Sequence, residues 1–368
     1  MRITKIHVYA VKLPFRTPFV LAYETYKDMP SIIVKIETDS GLVGYGEGVA
    51  DQHVTGETWE STFSTISKYL APALVNENPF HLERIHDVME QIVYGAPTAK
   101  AALDIACYDL IGKATRQPLY QVLGGPYYSS IVVPFVLGID NPSTMAQEAK
   151  KAVQSGYLNI KIKVGTDVQL DIERIRAVRD AIGPDVELRV DANQGWQYEA
   201  DALNVLKAVE DCRIGWIEQP IKANNIKGLA NIRQRTSIPI MIDEGLHNSQ
   251  QMQQVIELNA VDFVNIKLMK CGGIYPALKL LAQAEAADIR CIIGSMIESS
   301  IATAAGAHLA LAKKNIVGNE MGGPLIFSKD VTSLKYDRNQ LLLSDEPGLG
   351  LLIDEQQLNK ICFQCKTV

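Results

Sequence analysis

Seven polar residues recur at near-even spacing through the second half of the 368-residue chain: Lys163, Asp191, Glu218, Asp243, Lys267, Ser295 and Glu320. Each closes or follows a short apolar run, and the successive gaps are 28, 27, 25, 24, 28 and 25 residues. That period is the length of one strand, one helix and their loops. It holds each residue at the same height on successive parallel strands, which in a barrel is the C-terminal rim. Asp191, Glu218 and Asp243 are carboxylates on consecutive strands. They repel one another unless a cation lies between them, and hard oxygen donors of this kind suit Mg²⁺. Lys161 and Lys163 lie two apart on one strand and therefore face the same way. Lys267 ends the sixth strand, across the barrel from the second. Lysines facing a core are rare unless they serve a site, and burial beside other cations is expected to lower their pKa and free an amine as a base. Amines on opposite walls of a metal suggest removal of the α-proton of a carboxylate substrate, an enediolate stabilised by Mg²⁺, and return of a proton to the opposite face. Lys270, beside Gly272 and Gly273, reads as a solvated loop charge.

The elements that must carry these residues follow from periodicity. Apolar runs at Val132–Gly138, Asn159–Val164, Val186–Val190, Ile214–Ile217, Ile238–Ile242, Val261–Leu268, Arg290–Gly294 and Asn315–Val317 alternate with helical patterns such as Val168–Ile182, Glu199–Asp211 and Gly273–Ala287. Eight strand-and-helix units predict an α/β fold, a (β/α)₈ TIM-type barrel, and no GxGxxG follows the first strand to favour an open dinucleotide-binding sheet. Before the barrel, alternating runs at Ile3–Tyr9, Ser31–Glu37 and Leu42–Val49 precede helical spacing over Thr58–Leu74, His81–Tyr94 and Ala99–Thr115. This predicts a three-stranded antiparallel sheet with helices, an α+β unit. The expected division is a capping domain over 1–125, a barrel over 126–324, and a tail over 325–368 that returns to the cap.

Composition narrows the function. Apolar residues make up 47% and charged residues 21%, which excludes wholesale disorder. With 36 basic and 42 acidic residues the net charge is −6, so nucleic acid is not an expected partner. No apolar run reaches the ~18 residues of a membrane span, and the N-terminus lacks the apolar stretch of a signal peptide. Six scattered cysteines imply a reducing, cytoplasmic setting, and the Cys362-x-x-Cys365 pair has no further ligands nearby to make a zinc site.

Several motifs resemble the mandelate racemase and muconate lactonizing enzyme family of the enolase superfamily. Ala101-Ala102-Leu103-Asp104-Ile105-Ala106-Cys107-Tyr108-Asp109-Leu110, continuing to Leu123-Gly124-Gly125, resembles its first signature, and Asp191-Ala192-Asn193 with Glu218-Gln219-Pro220 its second. Lys161-Ile162-Lys163 and Asn265-Ile266-Lys267-Leu268-Met269-Lys270-Cys271-Gly272-Gly273 are similar to the muconate lactonizing enzyme subgroup. The resemblance implies a modified barrel under an α+β cap, Lys163 and Lys267 as acid/base pair, Asp191, Glu218 and Asp243 as Mg²⁺ ligands, and Lys161 beside the substrate carboxylate. Within the subgroup the chain looks like a dipeptide epimerase of the L-Ala-D/L-Glu type, an isomerase acting on a small dipeptide carboxylate. Gly294-Ser295-Met296-Ile297-Glu298 and Glu320-Met321-Gly322 supply the candidate substrate contacts Ser295, Ile297, Glu320 and Gly322. Ala-Glu epimerases carry Asp-x-Asp on the eighth strand for the ammonium group. Here Glu320 matches the first acid and Gly322 carries none. Side-chain selection is expected from the cap, at Phe19–Asp28, where Glu24 and Lys27 lie, and at Asp51–Glu57. N-succinylamino acid racemisation, o-succinylbenzoate synthesis and muconate cycloisomerisation are the alternatives on the same site, and a non-catalytic barrel scaffold is the reading from another class. Barrels of this kind assemble symmetrically, so a homo-oligomer is expected.

Overall fold

The computed structural model describes residues 1–20 and 25–368. Its eight parallel barrel strands are Phe135–Leu137, Asn159–Lys163, Glu187–Asp191, Ile214–Glu218, Ile240–Ile242, Phe263–Ile266, Arg290–Ile293 and Ile316–Asn319. They pair in chain order, as the alternation of apolar runs and helices predicts. Among the described residues the ladder does not close between the first strand and the eighth. Near this seam Asn319 Nδ2 donates to the carbonyl of Val132, three residues before the first strand, at 2.9 Å. Asparagine, aspartate or serine side chains cap several of the returning helices, including Asp167 on Val168–Ile182, Asn248 on Ser249–Glu257 and Ser299 on Ser300–Ala312. At the opposite end the Arg189 guanidinium lies 4.4 Å from the Trp216 ring centre and that of Arg290 4.0 Å from the Phe263 ring. Cation–π stacking thus covers the barrel floor.

The cap is an antiparallel sheet of Ile3–Val20, Thr25–Thr38 and Val43–Gly48, joined by a fourth strand, Cys362–Thr367, that pairs with the first through His7 opposite Thr367. The sequence predicts three strands. The fourth is polar and mostly exposed, so it lacks the apolar alternation that reveals its partners. The tail also contributes a hairpin, Lys335–Asp337 and Gln340–Leu342, which pairs with Ile131–Val132 beside the barrel. Helix Pro97–Thr115 is buried along nearly its whole length between the cap sheet and the barrel, its charged residues Lys100, Asp104 and Asp109 included. Its approach to the sheet depends on glycine at alternate positions of Val43–Gly48. A Cβ on Gly46 would lie 1.9 Å from the carbonyl oxygen of Ala102, and one on Gly44 2.4 Å from that of Ala106. No helix among the described residues is long and apolar enough to cross a membrane.

His308, buried in helix Ser300–Ala312, joins three parts of the chain. Its Nδ1 accepts from the Tyr120 amide at 3.2 Å, so the proton sits on Nε2, which donates to the Leu349 carbonyl at 3.2 Å. Burial pushes its pKa down to about 4. The unfolded imidazole takes its proton near 6.5, so stability from this group is complete above that pH and falls as pH drops towards 4. Between pH 7.5 and 5 the loss from this residue is about 2 kcal/mol. Urea unfolding at both pH values is expected to show a smaller drop for His308→Gln than for the wild type.

Candidate active site

The C-terminal rim of the barrel and the cap enclose a cavity of about 520 Å³. The barrel lines it with Lys161, Lys163, Lys267, Ser295, Ile297, Glu320 and Gly322, all predicted positions. The cap adds Met29, Asp51, His53 and Val54, so the segment Asp51–Glu57 reaches the cavity as expected. Glu24 lies outside the described residues. Asp191, Glu218 and Asp243 are fully buried at the ends of the third and fourth strands and just past the fifth. The second and sixth strands, four apart in an eight-stranded ring, carry Lys163 and Lys267 to opposite walls of this one cavity.

The rim is knitted by ion pairs. Lys161 Nζ lies 2.9 Å from Asp191 Oδ2 and 2.8 Å from Glu218 Oε2, and also contacts Glu320. Lys163 Nζ donates to Asp191 Oδ2 at 2.8 Å and to Asn193 Oδ1 at 2.9 Å. Lys267 Nζ lies 2.7 Å from Asp243 Oδ2, and Lys270 Nζ donates to Asp243 Oδ1 at 2.6 Å. Lys270 thus corrects the solvated-loop reading. It is 1% exposed, on the single helical turn Leu268–Cys271 that folds back under the rim. Asn265 Nδ2 donates to Glu218 Oε1 at 2.8 Å, and Gln219 Oε1 accepts from the Asp243 and Gly245 amides at 2.9 and 3.1 Å. Glu244 accepts from Asn193 Nδ2 at 3.0 Å. Sequence reasoning passed over these positioning groups. Period-two spacing from Lys267 to Asn265, and adjacency of Glu244 to Asp243, were the available signals.

Five carboxylates here, Asp191, Glu218, Asp243, Glu244 and Glu320, face four ammonium groups, Lys161, Lys163, Lys267 and Lys270. The consequence is a set of opposed shifts. Burial would raise Asp191, yet Lys161 and Lys163 hold it at about 2. Burial and the nearby Asp191 push Glu218 up to about 8, and burial with Asp243 and Asp191 pushes Glu244 up to about 7. Burial would lower Lys267, but Asp243, Glu320 and Glu218 outweigh it and hold the amine well above its usual range. This reverses the expected lowering: the surrounding charge is anionic, not cationic. A further cation among these groups would favour the charged forms of Glu218 and Glu244.

Among the described residues no three acidic, histidine or cysteine groups close on one point as a metal cage requires, because lysine ammonium groups stand between the carboxylates. The donor chemistry nevertheless fits a hard divalent cation. Three buried carboxylates end adjacent strands, and Asp243 Oδ2 receives no aligned hydrogen bond although Lys267 is near.

An eight-stranded barrel under an α+β cap, with lysines on opposite walls and a row of rim carboxylates between, defines an enzyme of the enolase superfamily. Residues 3–124 match the model of the mandelate racemase / muconate lactonizing enzyme N-terminal domain, and residues 144–357 that of the enolase C-terminal domain-like family. The chain belongs to the mandelate racemase and muconate lactonizing enzyme family. It is 54% identical over 361 residues, 98% of each chain, to an N-succinyl-L-Arg/Lys racemase of Bacillus cereus, and 45% identical over 355 residues, 95% of this chain and 99% of the other, to a hydrophobic dipeptide epimerase of Enterococcus faecalis. An L-Ala-D/L-Glu epimerase of Clostridium acetobutylicum is 38% identical over 355 residues, again 95% of this chain and 99% of the other. The crystal structure of the Bacillus cereus racemase superposes with a TM-score of 0.98 at 53% identity over the whole of both chains. That of the Enterococcus faecalis epimerase with Mg and L-Leu-L-Tyr gives 0.92 at 42% identity, covering 95% of this chain and 99% of that one. The protein is therefore an isomerase, a racemase or epimerase acting on amino acid derivatives.

Removing Lys270 leaves Asp243 buried with one cationic partner. Lys270→Met is expected to lower stability by about 3 kcal/mol, read from denaturant midpoints. A loss below ~1 kcal/mol, the range of exposed pairs, would mean that Lys270 does not hold Asp243.

Proposed function

We propose that this chain is an N-succinylamino acid racemase for basic side chains, inverting the α-carbon by two-base 1,1-proton transfer. One observation carries the choice of acyl group. A dipeptide's free ammonium calls for anionic groups on the eighth strand, but Gly322 bears no side chain and a Cβ there would meet nothing within 4 Å. The carboxylate of Glu320 is already engaged by Lys161. The space at Gly322 suits an acyl group rather than an ammonium. Identity of 54% to the N-succinyl-L-Arg/Lys racemase supports the same reading, and Asp51 on the cap side of the cavity supplies negative charge for a guanidinium or ammonium side chain.

In this mechanism Lys163 and Lys267 address opposite faces of the substrate α-carbon. One amine, freed from the carboxylates that otherwise hold it in the charged form, is neutral and takes the α-proton on Nζ. The other, as an ammonium, gives a proton from its Nζ to the opposite face, and the configuration inverts. The roles exchange in the reverse direction. Lys163 must first leave Asp191, and Lys267 must leave Asp243, for either Nζ to reach the carbon. Lys161 places positive charge beside the reacting carboxylate, and the cap residues Met29 and His53 exclude water over it. Asp191, Glu218 and Asp243 would hold Mg²⁺, which when bound withdraws charge from the substrate carboxylate and acidifies the α-proton.

A second reading, dipeptide epimerisation of the L-Ala-D/L-Glu type, retains one supporting feature. Glu320 carries a carboxylate at the cavity wall that stays ionised, its pKa lowered against burial by Lys161, Lys267 and Lys163.

Solvent-exchange NMR in D₂O with Mg²⁺ separates the two. The expected result is α-proton exchange of N-succinyl-L-arginine and N-succinyl-L-lysine with kcat/KM at least about 100-fold above that of L-Ala-L-Glu. Preferential exchange of the dipeptide would overturn the succinyl reading. Lys267→Ala is expected to reduce racemisation by about a thousandfold or more while leaving exchange of one enantiomer through Lys163. Loss of neither activity would sink the two-base scheme. Asp243→Asn is expected to weaken Mg²⁺ about tenfold or more by calorimetry, and unchanged affinity would remove Asp243 from the ligand set.

A further inference from the structure

The turn that presents Lys267 is anchored from the cap. Lys267 is the N-terminal flanking residue of the helical turn Leu268–Cys271, which ends at Gly272 and Gly273 before helix Ile274–Ala286 begins. The first amides of that helix point at Asp104, a fully buried residue in the middle of helix Pro97–Thr115. Asp104 Oδ1 accepts from the Ile274 amide at 2.5 Å, and Oδ2 from the Tyr275 amide at 3.3 Å. His86, on the neighbouring cap helix Leu82–Ile92, completes the arrangement. Its Nε2 meets Asp104 Oδ2 at 2.7 Å, and its ring stacks on Tyr275 with centres 5.1 Å apart. The approach is so close that Gly273, at φ +118°, has no room for a side chain: a Cβ would lie 2.3 Å from Asp104 Oδ1. A second strut runs nearby, where the Val49 amide meets Met269 Sδ at 3.4 Å. The Lys267 turn is therefore gripped at one end by the sixth strand and at the other by a cap carboxylate. Among the described residues Lys163 shows no such link; its Nζ is held by Asp191 and Asn193, both from the barrel.

We infer that Asp104, seated by His86, is a positioning residue for Lys267, so that the cap sets the geometry of proton transfer on one face of the substrate and not on the other. A carboxylate at a helix N-terminus fixes the helix start by charge as well as by hydrogen bonds, and the six residues between Lys267 and the Ile274 amide include the closed turn Leu268–Cys271, which leaves little slack. Displacing a reacting amine by about 1 Å costs up to a hundredfold in rate. The inference rests on the two-base reading above and adds an asymmetry to it.

Asp109 provides the control. It lies on the same helix, is equally buried, and accepts from the Tyr45 amide at 2.9 Å and the Leu349 amide at 2.9 Å, without touching the Lys267 turn. The experiment follows α-proton exchange of N-succinyl-L-arginine and N-succinyl-D-arginine separately in D₂O. Lys267→Ala identifies the enantiomer whose exchange needs Lys267. In Asp104→Asn, exchange of that enantiomer is expected to fall at least about tenfold, while exchange of the other stays within about twofold. Asp109→Asn is expected to leave the ratio of the two rates as in the wild type. Should Asp104→Asn not yield folded protein, His86→Gln is expected to shift the ratio in the same direction. Equal loss for both enantiomers, an unchanged ratio, or the same shift in Asp109→Asn would overturn the positioning role while leaving the racemase reading intact. Failure of the wild type to exchange either enantiomer would overturn both.

Discussion

Charge neutralisation at the barrel rim is the constraint on which the rest depends. Burying five carboxyl groups beside four lysines is tolerable only while each has a cationic neighbour, an amide donor or a raised pKa, since an unpaired buried charge costs several kcal/mol. Every feature of the rim serves that requirement. Lys161 bridges Asp191, Glu218 and Glu320; Lys270 secures Asp243; Asn265 and Asn193 supply amide donors to Glu218 and Glu244.

The cap is joined to the barrel by the same chemistry, applied to helix ends. Glu47, fully buried on the third cap strand, accepts from the Ser299 and Ala302 amides at 3.0 Å each and from the Ser299 hydroxyl at 2.6 Å, at the start of helix Ser300–Ala312. Asp104 serves helix Ile274–Ala286, and Asp109 binds the tail at Leu349. Buried carboxylates on unsatisfied backbone amides fix direction as well as distance, which apolar packing does not. The motif around Asp104 and Asp109, which resembles a family signature, thus acquires a physical meaning: it docks one unit on the other.

Much of this was legible in the chain. Apolar runs at a steady period disclose the eight strands because each parallel strand is covered on both faces, and the polar residue ending each run discloses the rim. The fourth cap strand was not legible, since its polar residues pair with a segment some 360 positions away. Lys270 was misread because the adjacent glycines suggest a loop, whereas they end a helical turn that drives the side chain inward. The upward shift of Lys267 was missed for a related reason. Spacing shows which charges share a rim, but not which sign prevails around one amine. The cap's contribution to the cavity is the least legible, because Met29, Asp51, His53 and Val54 lie in segments whose cavity-facing residues carry no periodic signal.

The seam between the first and eighth barrel strands places strength and weakness unevenly. The strands bearing Lys163 and Lys267 are laddered on both sides, whereas Gly322 and Val136, which line the cavity, sit beside or on strands laddered on one side only. On the proposed reading, the acid/base lysines lie at strands paired on both sides and the acyl subsite lies at the open edges of the sheet. Such an allocation would let substrate preference drift by local change at the sheet edges while the paired strands stay put.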